Sequence, residues 1–188
     1  MCFITASSNQ SYTKSDIKTS PKISIMAPIL EYVFTMREYI HPNMADIGPE
    51  SSGPTRLLVN VTDGFLRFTN ADIEAQVLPP GGDWPLIDYN ANVLRLNARA
   101  RAKTDQGELY IHYTGTLVLD EGTKKLLAKA PDAKATNFGD TTWFTNIDVE
   151  TTDQRLKWME TNMLVGQGRW HIDEKGLAAE YLVYKVVN

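Results

Sequence analysis

The densest set of potentially reactive side chains in the sequence lies between residues 93 and 114. A period of two places the polar groups on one face of two consecutive segments: Arg95, Asn97, Arg99, Arg101, Glu108, Tyr110, His112 and Thr114. The turn at residues 104–107 joins the segments, which predicts a β-hairpin with these groups on a shared face. Arginine supplies a permanent positive charge, whereas a glutamate or a histidine can accept and return a proton.

The residues alone leave two interpretations of this face open. In the first, it is an outer face in contact with water, with cross-strand ion pairs worth only ~0.2–1 kcal/mol each. In the second, it lines a cavity, where fewer waters make the same groups act more strongly on one another and on a ligand.

A second candidate is the segment Val77-Leu78-Pro79-Pro80-Gly81-Gly82-Asp83-Trp84. An alternating strand at residues 72–78 runs into two prolines, which cannot donate to a strand ladder, and two glycines then free the backbone. The pattern predicts a turn that places Asp83 and Trp84 at a defined position. The alternative is an ordinary connection between strands, in which Trp84 closes the end of the core.

Short strands must position these candidates, because much of the chain from residue 29 onward alternates with a period of two. Strands are predicted at residues 30–37, 56–62, 65–69, 72–78, 93–101, 108–114, 142–150, 163–172 and 177–187. Residues 41–54 form a predicted long loop, and Asp63-Gly64 is the strongest hairpin signal. Residues 153–162 have helical spacing and begin with an aspartate suited to capping.

These elements predict an all-β fold, a single antiparallel β-barrel of about nine or ten strands with one short helix. Closure removes exposed strand edges, and a barrel of this size has an interior wide enough for one small ligand. We therefore expect an internal ligand cavity. Residues 26–188 form the barrel domain, whereas the polar residues 1–25 lack a periodic apolar face and are expected to be a flexible N-terminal extension.

The composition argues against several classes of function. The chain has 188 residues, a net charge of −4 and no basic stripe, so neither nucleic acid nor a membrane is an expected partner. One cysteine and three widely separated histidines give no metal-ligand spacing, and no nucleotide-binding motif is present. No metal and no cofactor are therefore expected. A secretory signal is not recognisable, and a cytoplasmic location is expected.

Six segments, taken in order, resemble a known family. They are Leu30-Glu31-Tyr32-Val33-Phe34, Gly53-Pro54-Thr55-Arg56, the segment from Val77 to Trp84, Leu96-Asn97-Ala98-Arg99, Asp105-Gln106-Gly107 and Leu156-Lys157-Trp158. The sequence resembles the family catalogued as domain of unknown function 3237 over residues 28–188, and the Gly-Gly-Asp-Trp block is the most specific part. The resemblance implies a small barrel of calycin-like shape. Fungal members occur in natural-product pathways, and one group is of chalcone-isomerase type.

The resemblance also implies which residues form the site. Arg56, Asp83, Trp84 and Arg99 match positions of the family pattern, whereas Asn97 stands where the family usually has aspartate. On this basis the polar hairpin face is expected to line the cavity. The expected catalytic residues are Arg56, Asp83, Arg99 and Glu108, and the expected substrate-binding residues are Trp84, Asn97, Tyr110, His112 and Trp158.

The resemblance implies a cofactor-independent isomerase or cyclase of a phenolic or polyketide-derived small molecule in fungal-type secondary metabolism. The favoured reaction is a chalcone-isomerase-like ring closure, in which a phenol oxygen adds to a conjugated enone (an oxa-Michael addition). An arginine held by Asp83 is expected to meet the developing negative charge. The alternatives are a non-catalytic barrel that binds a hydrophobic small molecule and a pericyclic, hetero-Diels–Alder cyclase. Whether the chain is a monomer or a homodimer stays open.

An activity that uses no metal should survive the removal of metal ions. We expect the ring closure of 2′-hydroxychalcone to keep its rate after exhaustive dialysis against a chelator, because the sequence has no cluster of metal-ligating side chains. The loss of chalcone absorbance measures the rate. Loss of activity on chelation, restored by one added metal ion, would contradict this expectation.

Overall fold

The computed structural model describes residues 26–69 and 72–188, and the expected extension at residues 1–25 lies outside the described residues. Within the described residues ten strands are present: β1 Ile29–Ile40, β2 Ala45–Pro49, β3 Thr55–Phe68, β4 Glu74–Asp83, β5 Leu86–Asp88, β6 Val93–Lys103, β7 Glu108–Val118, β8 Trp143–Thr151, β9 Leu164–Asp173 and β10 Gly176–Val187. Neighbouring strands pair antiparallel throughout.

The strands close into a ring in the order β1-β10-β9-β8-β7-β6-β4-β3, because β3 pairs again with β1. Strand β2 lies beside β3 outside this ring, and β5 bridges β3 and β6. The predicted antiparallel β-barrel is confirmed. Its closure gives the chain an inside and an outside, and every polar side chain must lie on one or the other.

Two short helices accompany the strands in the described part of the chain. Helix α1, Glu121–Leu127, begins after Asp120, whose side chain accepts a hydrogen bond from Thr123 N at 2.7 Å. A 3-10 helix at Gln154–Thr161 lies where the sequence predicts a helix. Neither helix is long and apolar enough to cross a membrane.

The apolar faces of the alternating strands fill the barrel interior. On β6 the buried residues are Leu94, Leu96, Ala98, Ala100 and Ala102, and the residues between them are exposed or half-buried. Strand β8 alternates strictly, with every second residue buried from Trp143 to Thr151. The period of two seen in the sequence therefore turns its apolar side inward.

Strand β3 passes through Asp63-Gly64 without a turn, so the hairpin predicted there is wrong. The ladder to β4 shifts its register between Val61 and Gly64, and the ladder to β1 shifts beside Val61. The ladder to β1 skips Thr62, so the bulge lies just before Asp63-Gly64, and both of these residues stay paired with β1. Asp63 accepts hydrogen bonds from Gly64 N at 2.8 Å and from Lys175 Nζ at 2.6 Å, so its carboxylate is satisfied within a strand.

The Pro-Pro-Gly-Gly segment also belongs to a strand, which corrects the predicted turn. Strand β4 continues to Asp83, and its ladder to β6 is interrupted between Leu78 and Gly82. A Cβ atom at Gly82 would lie only 2.7 Å from Val59 O, so glycine is what allows β3 to pass this closely. The segment therefore carries Asp83 to the end of β4 within the sheet.

The predicted loop at residues 41–54 contains the short strand β2. It pairs with β3 from Ala45 opposite Leu58 to Pro49 opposite Thr55. Gly48 and Pro49 fall within it, and both residue types are depleted in strands, so the pattern gives no strand signal here.

Asp153 anchors the 3-10 helix to the β6–β7 hairpin, and its side chain is fully buried. It accepts hydrogen bonds from Thr104 Oγ1 at 2.6 Å, from Arg155 N at 3.0 Å and from Arg155 Nη2 at 2.6 Å. The hydrogen bond from the Arg155 side chain holds the pKa of Asp153 well below its usual range. This one carboxylate therefore joins two distant segments of the chain.

Replacing Asp153 should lower the stability of the barrel much more than replacing Asp105, an exposed carboxylate that pairs with the same Arg155 at 2.5 Å. We expect Asp153→Ala to lower the free energy of unfolding by about 3 kcal/mol, because the half-buried Arg155 guanidinium and the buried Thr104 hydroxyl lose their fully buried acceptor. Asp105→Ala should cost less than about 1 kcal/mol. Urea denaturation followed by circular dichroism measures both, and equal losses would contradict the anchoring role.

Candidate functional site

The β6–β7 hairpin forms as predicted, with Arg99 opposite His112 and Arg101 opposite Tyr110. Its polar face, however, is the outer face of the barrel, where Arg99 and Arg101 are exposed while the alanines between them lie in the core. The prediction that Arg99 and Glu108 line the cavity is therefore wrong. The physical reason is desolvation, since burying a row of arginines costs far more than burying a row of alanines.

The charged groups of this face satisfy one another at the surface. Glu108 accepts hydrogen bonds from Arg101 Nε at 2.9 Å and Nη2 at 3.1 Å, and this contact lowers the pKa of Glu108. Asn97 Oδ1 accepts a hydrogen bond from Arg99 Nη1 at 3.0 Å and lies 3.3 Å from His112 Nε2. These contacts are the cross-strand pairs expected if the polar face of the hairpin is an outer face of the barrel.

The remaining predicted residues also lie away from the interior: Arg56, Trp84, Tyr110 and Trp158. Arg56 Nη1 donates to Trp84 O at 2.5 Å, and the Trp84 ring is 5.9 Å from the Arg99 guanidinium carbon. Tyr110 is exposed on the outer face, and Trp158 lies half-buried on the 3-10 helix. The predicted convergence of all these groups on one cavity is therefore wrong.

Of the predicted site residues, Asp83 does lie on the wall of the barrel's interior cavity. Its Oδ1 accepts a hydrogen bond from Asn97 N at 2.8 Å. Burial raises the pKa of Asp83 to about 6, although backbone hydrogen bonds from Asn97 and Trp84 and the charge of Arg56 act in the opposite direction. Arg56 acts here through its charge at a distance, and the arginine that Asp83 was expected to hold is not paired with it among the described residues.

Glu38 on β1 and Tyr113 on β7 form a hydrogen bond across the interior, from Tyr113 Oη to Glu38 Oε2 at 2.5 Å. Both residues are buried, and Glu38 Oε1 has no hydrogen-bond partner among the described residues. Burial raises the pKa of Glu38 to about 7, and the charge of Asp83 adds to this effect, while the Tyr113 hydrogen bond opposes it. Burial also raises the pKa of Tyr113, so its hydroxyl stays protonated and donates.

Glu180 on β10 shows how a buried glutamate is stabilised when its role is structural. It lies on the opposite side of the sheet, between Arg37 and Arg169, and Arg169 Nε donates to its Oε1 at 2.7 Å. Burial pushes the pKa of Glu180 upward, but the hydrogen bonds from Arg169 and Arg37 outweigh it and leave the pKa below its usual value. Glu38 has no such cation beside it among the described residues, so nothing comparable offsets the effect of burial, and its pKa rises to about 7.

The cavity between Glu38 and Asp83 is small, with a volume of about 40 Å³. Its wall is otherwise largely apolar and includes the rings of Trp143 and Tyr181. The indole of Trp143 is buried, and its Nε1 has no hydrogen-bond partner among the described residues. Since a water molecule needs about 10–15 Å³ by this kind of measure, the cavity admits a functional group and not a whole chalcone.

A groove on the outside of the barrel adjoins this cavity. Its volume is about 410 Å³, and Met44, Leu57 and Leu127 line both the groove and the cavity. Tyr89 and Ile87 extend the groove away from the barrel, and Tyr89 is largely exposed. These three half-buried side chains therefore lie at the boundary between the groove and the cavity.

Glu38, Tyr113 and Trp143 were not among the predicted site residues, although Glu38 and Tyr113 carry a signal in the sequence. Glu38 follows Phe34 and Met36 at a spacing of two, so it continues the apolar face of β1, where a carboxylate is out of place. Tyr113 likewise continues the apolar face of β7. A polar residue in register with a core stripe is a better signal here than a row of charges.

A metal centre finds no support in the described part of the chain, where no group of three or more His, Cys, Asp or Glu side chains is placed to hold an ion. The chemistry that this cavity can support is proton transfer. Glu38 and Asp83 are both poised to change protonation near neutral pH, and the apolar wall strengthens their action on a bound group.

The raised pKa of Glu38 links its proton to stability. The native state holds the proton more tightly than the unfolded chain, so this stabilisation is complete below pH 4.5 and is lost as the pH rises through about 7. Glu38→Gln keeps a neutral group at all pH values. At pH 8 it should therefore unfold with a free energy about 3 kcal/mol above that of the wild type, with little difference at pH 4.

Glu180→Gln is the matched control, because it removes the anionic partner of two arginines and should destabilise the protein at pH 8. Thermal and urea denaturation at pH 4, 6 and 8 measure all three proteins. A Glu38→Gln variant that is less stable than the wild type at pH 8 would show that the Glu38 carboxyl is ionised and well solvated.

Known structures share this fold. A conserved protein of unknown function from Rhodopseudomonas palustris is 23% identical, with a TM-score of 0.74 over 87% of this chain and 100% of its own. A β-barrel-like protein from Acinetobacter baumannii AYE is 18% identical, with a TM-score of 0.65 over 88% of this chain and 100% of its own. A protein of unknown function from Clostridium acetobutylicum is 20% identical, with a TM-score of 0.65 over 86% and 100%. At these identities the likeness concerns the fold alone.

No curated protein matches the sequence. The sequence profile of one family, described as a protein of unknown function (DUF3237), matches residues 28–186, which is almost the whole of the barrel. Because the match spans far more than half of its length, the chain belongs to the DUF3237 family.

Proposed function

We propose that the protein is a cofactor-independent isomerase or cyclase that transfers protons on a small carbonyl compound at the interior cavity. One observation carries the proposal: two carboxyl groups with raised pKa values, Glu38 and Asp83, lie on the wall of the same largely apolar cavity. Carboxyl groups tuned toward neutral pH are typical of general acids and bases. The isomerase or cyclase class expected from the sequence is kept, and the residues that perform it are reassigned.

The pKa values assign the two roles. With a pKa of about 6 for Asp83 and about 7 for Glu38, the prevailing state at pH 6.5 has Asp83 ionised and Glu38 protonated. Asp83 is then the base and Glu38 the acid. The Tyr113 hydroxyl holds Glu38 Oε2 in place, which leaves the Oε1 side free to act on a substrate.

Ring closure of a 2′-hydroxychalcone illustrates the reaction class. Asp83 takes the phenolic proton, the phenol oxygen forms a bond to the β-carbon of the enone, and the π-electron pair moves onto the carbonyl oxygen as an enolate. Glu38 then delivers its proton to the α-carbon as the carbonyl re-forms. The proton held by Asp83 then returns to Glu38 through solvent, which restores the starting state; in total one proton has moved from oxygen to carbon, and the reaction needs no oxidant or reductant.

The dimensions of the interior favour this reading over a carrier of hydrophobic ligands. A carrier encloses its ligand, and sites for ligands of that size measure about 300–1,000 Å³. The cavity here is about 40 Å³, so the body of a substrate would occupy the outer groove and only its reactive end would pass Met44, Leu57 and Leu127. A pericyclic cyclase, in turn, has no need of buried carboxyl groups. The substrate, its polyketide-like origin and a cytoplasmic location remain predictions from the sequence.

We expect the rate of 2′-hydroxychalcone closure, corrected for the uncatalysed rate, to be highest between about pH 6 and pH 7. It should rise with pH as Asp83 ionises and fall as Glu38 loses its proton. Glu38→Gln and Asp83→Asn should each lower the maximum rate by about 100-fold, and each should remove one limb of the profile.

Arg99→Ala is the control for the corrected assignment. The Arg99 side chain lies on the outer face, where it contacts Asn97 and the Trp84 ring, so its removal should leave the rate within about twofold of the wild type. Absorbance assays of the three variants and the wild type decide the matter. Full activity in folded Glu38→Gln and Asp83→Asn, with loss in Arg99→Ala, would reverse the assignment.

A further inference from the structure

The reaction class proposed above places negative charge on a carbonyl oxygen, and such charge needs a hydrogen-bond donor fixed in advance. The donors of the cavity wall are few: the hydroxyls of Tyr113 and Tyr181 and the indoles of Trp143 and Trp170. The Tyr113 hydroxyl already donates to Glu38, and the indole Nε1 of Trp170 donates to Thr123 Oγ1 at 3.2 Å. Trp143 lies on the same wall, and its buried Nε1 makes no hydrogen bond among the described residues.

We propose that the indole N–H of Trp143 binds the carbonyl oxygen of the substrate, so that the ligand of this cavity is a compound with an exposed carbonyl head and an apolar body. The location of the carbonyl rests on the proposed function, which puts the reaction in this cavity. The choice of Trp143 as the donor rests on its unpaired Nε1. The head occupies the cavity of about 40 Å³, and the body lies in the groove beside Met44, Leu57 and Leu127.

The position of the indole is fixed on several sides. A Cβ atom at Gly168 on β9 would overlap the Trp143 ring, so the ring occupies the space that this glycine leaves. Its centroid lies 4.7 Å from the Trp170 ring and 5.3 Å from the Tyr181 ring, the latter edge-to-face. A donor held in this way loses little freedom when it binds an oxygen, which is the condition for preorganised electrostatic stabilisation.

The Tyr181 hydroxyl is the polar group that Trp143 influences in the absence of a ligand. Burial raises the pKa of Tyr181, and the indole N–H acts in the opposite direction, but the two groups are outside hydrogen-bonding geometry. A buried N–H without an acceptor destabilises the ligand-free protein, and a ligand carbonyl would remove that penalty. A ligand with an alkene in place of the carbonyl has no oxygen to accept this hydrogen bond, so it gains no affinity from the indole N–H.

Two compounds of nearly the same shape test this inference without any turnover. Acetophenone carries a C=O group, and α-methylstyrene carries C=CH₂ in its place. We expect wild-type protein to bind acetophenone about tenfold more tightly than α-methylstyrene, measured by ligand-observed NMR titration. Trp143→Phe should abolish the preference by weakening acetophenone binding alone.

Trp170→Phe is the matched control, because it removes an indole N–H of the same aromatic cluster that already donates to Thr123. It should keep the preference for the carbonyl. The indole signals of the four tryptophans in ¹⁵N-labelled wild-type protein give a second readout that does not depend on any variant folding. The Trp143 Hε1 signal, assigned by its NOE contacts with the neighbouring rings of Trp170 and Tyr181, should move downfield with acetophenone and stay with α-methylstyrene.

Several outcomes would overturn the inference: no binding of acetophenone at millimolar concentration, equal binding of both compounds, or a preference that survives in Trp143→Phe. Glu38→Gln separates this result from the proposed function, since it should keep the carbonyl preference while it loses ring closure. If the preference depends on Trp143 but ring closure does not depend on Glu38, the carbonyl site stands and the proton-transfer function fails.

Discussion

The hydrogen bond between Tyr113 and Glu38 is the interaction on which the interior of this barrel depends. It joins β7 to β1, strands that are not neighbours in the sheet, and spans a sequence separation of 75 residues. A carboxyl group can stay in an apolar interior only if it is paired or uncharged, and here one hydroxyl is its sole hydrogen-bond partner among the described residues. The contact holds the carboxyl group in the largely apolar cavity, while burial raises its pKa to about 7 against the opposing effect of the hydrogen bond, and the proposed chemistry depends on both.

Two glutamates on adjacent strands show that burial by itself does not make a reactive group. Glu180 is paired with arginines on both sides on the outer side of the sheet and behaves as a structural anion. Glu38, inside the ring, has no cation and titrates near neutral pH. The carboxylate that forms ion pairs between strands therefore lies on the outer side of the sheet. The carboxyl group that can exchange a proton with a ligand lies on the inner side.

The fold could be predicted from the sequence because a period of two is a property of local backbone geometry, and it recurs in almost every strand. Asp63-Gly64 and Pro-Pro-Gly-Gly misled the prediction because their turn chemistry is local, whereas pairing on both edges, from β1, β4 and β6, holds them in strands. The site was harder to predict than the fold. An alternating pattern indicates which residues share a face of a strand, but it does not indicate which face points into the barrel. The apolar side of the hairpin, with its three alanines, decides this for Arg99, and only closure of the ring brings Glu38 to Tyr113.

The absence of a side chain at Gly168 affects the shape of the interior cavity. It does not line the cavity, yet the ring of Trp143 lies where its side chain would be. Any larger residue at this position must displace the indole, so the shape of the chamber depends on a residue outside its lining. Variation in the size of the accepted head group can therefore arise at a position that never contacts a ligand, and a comparison restricted to lining residues would overlook it.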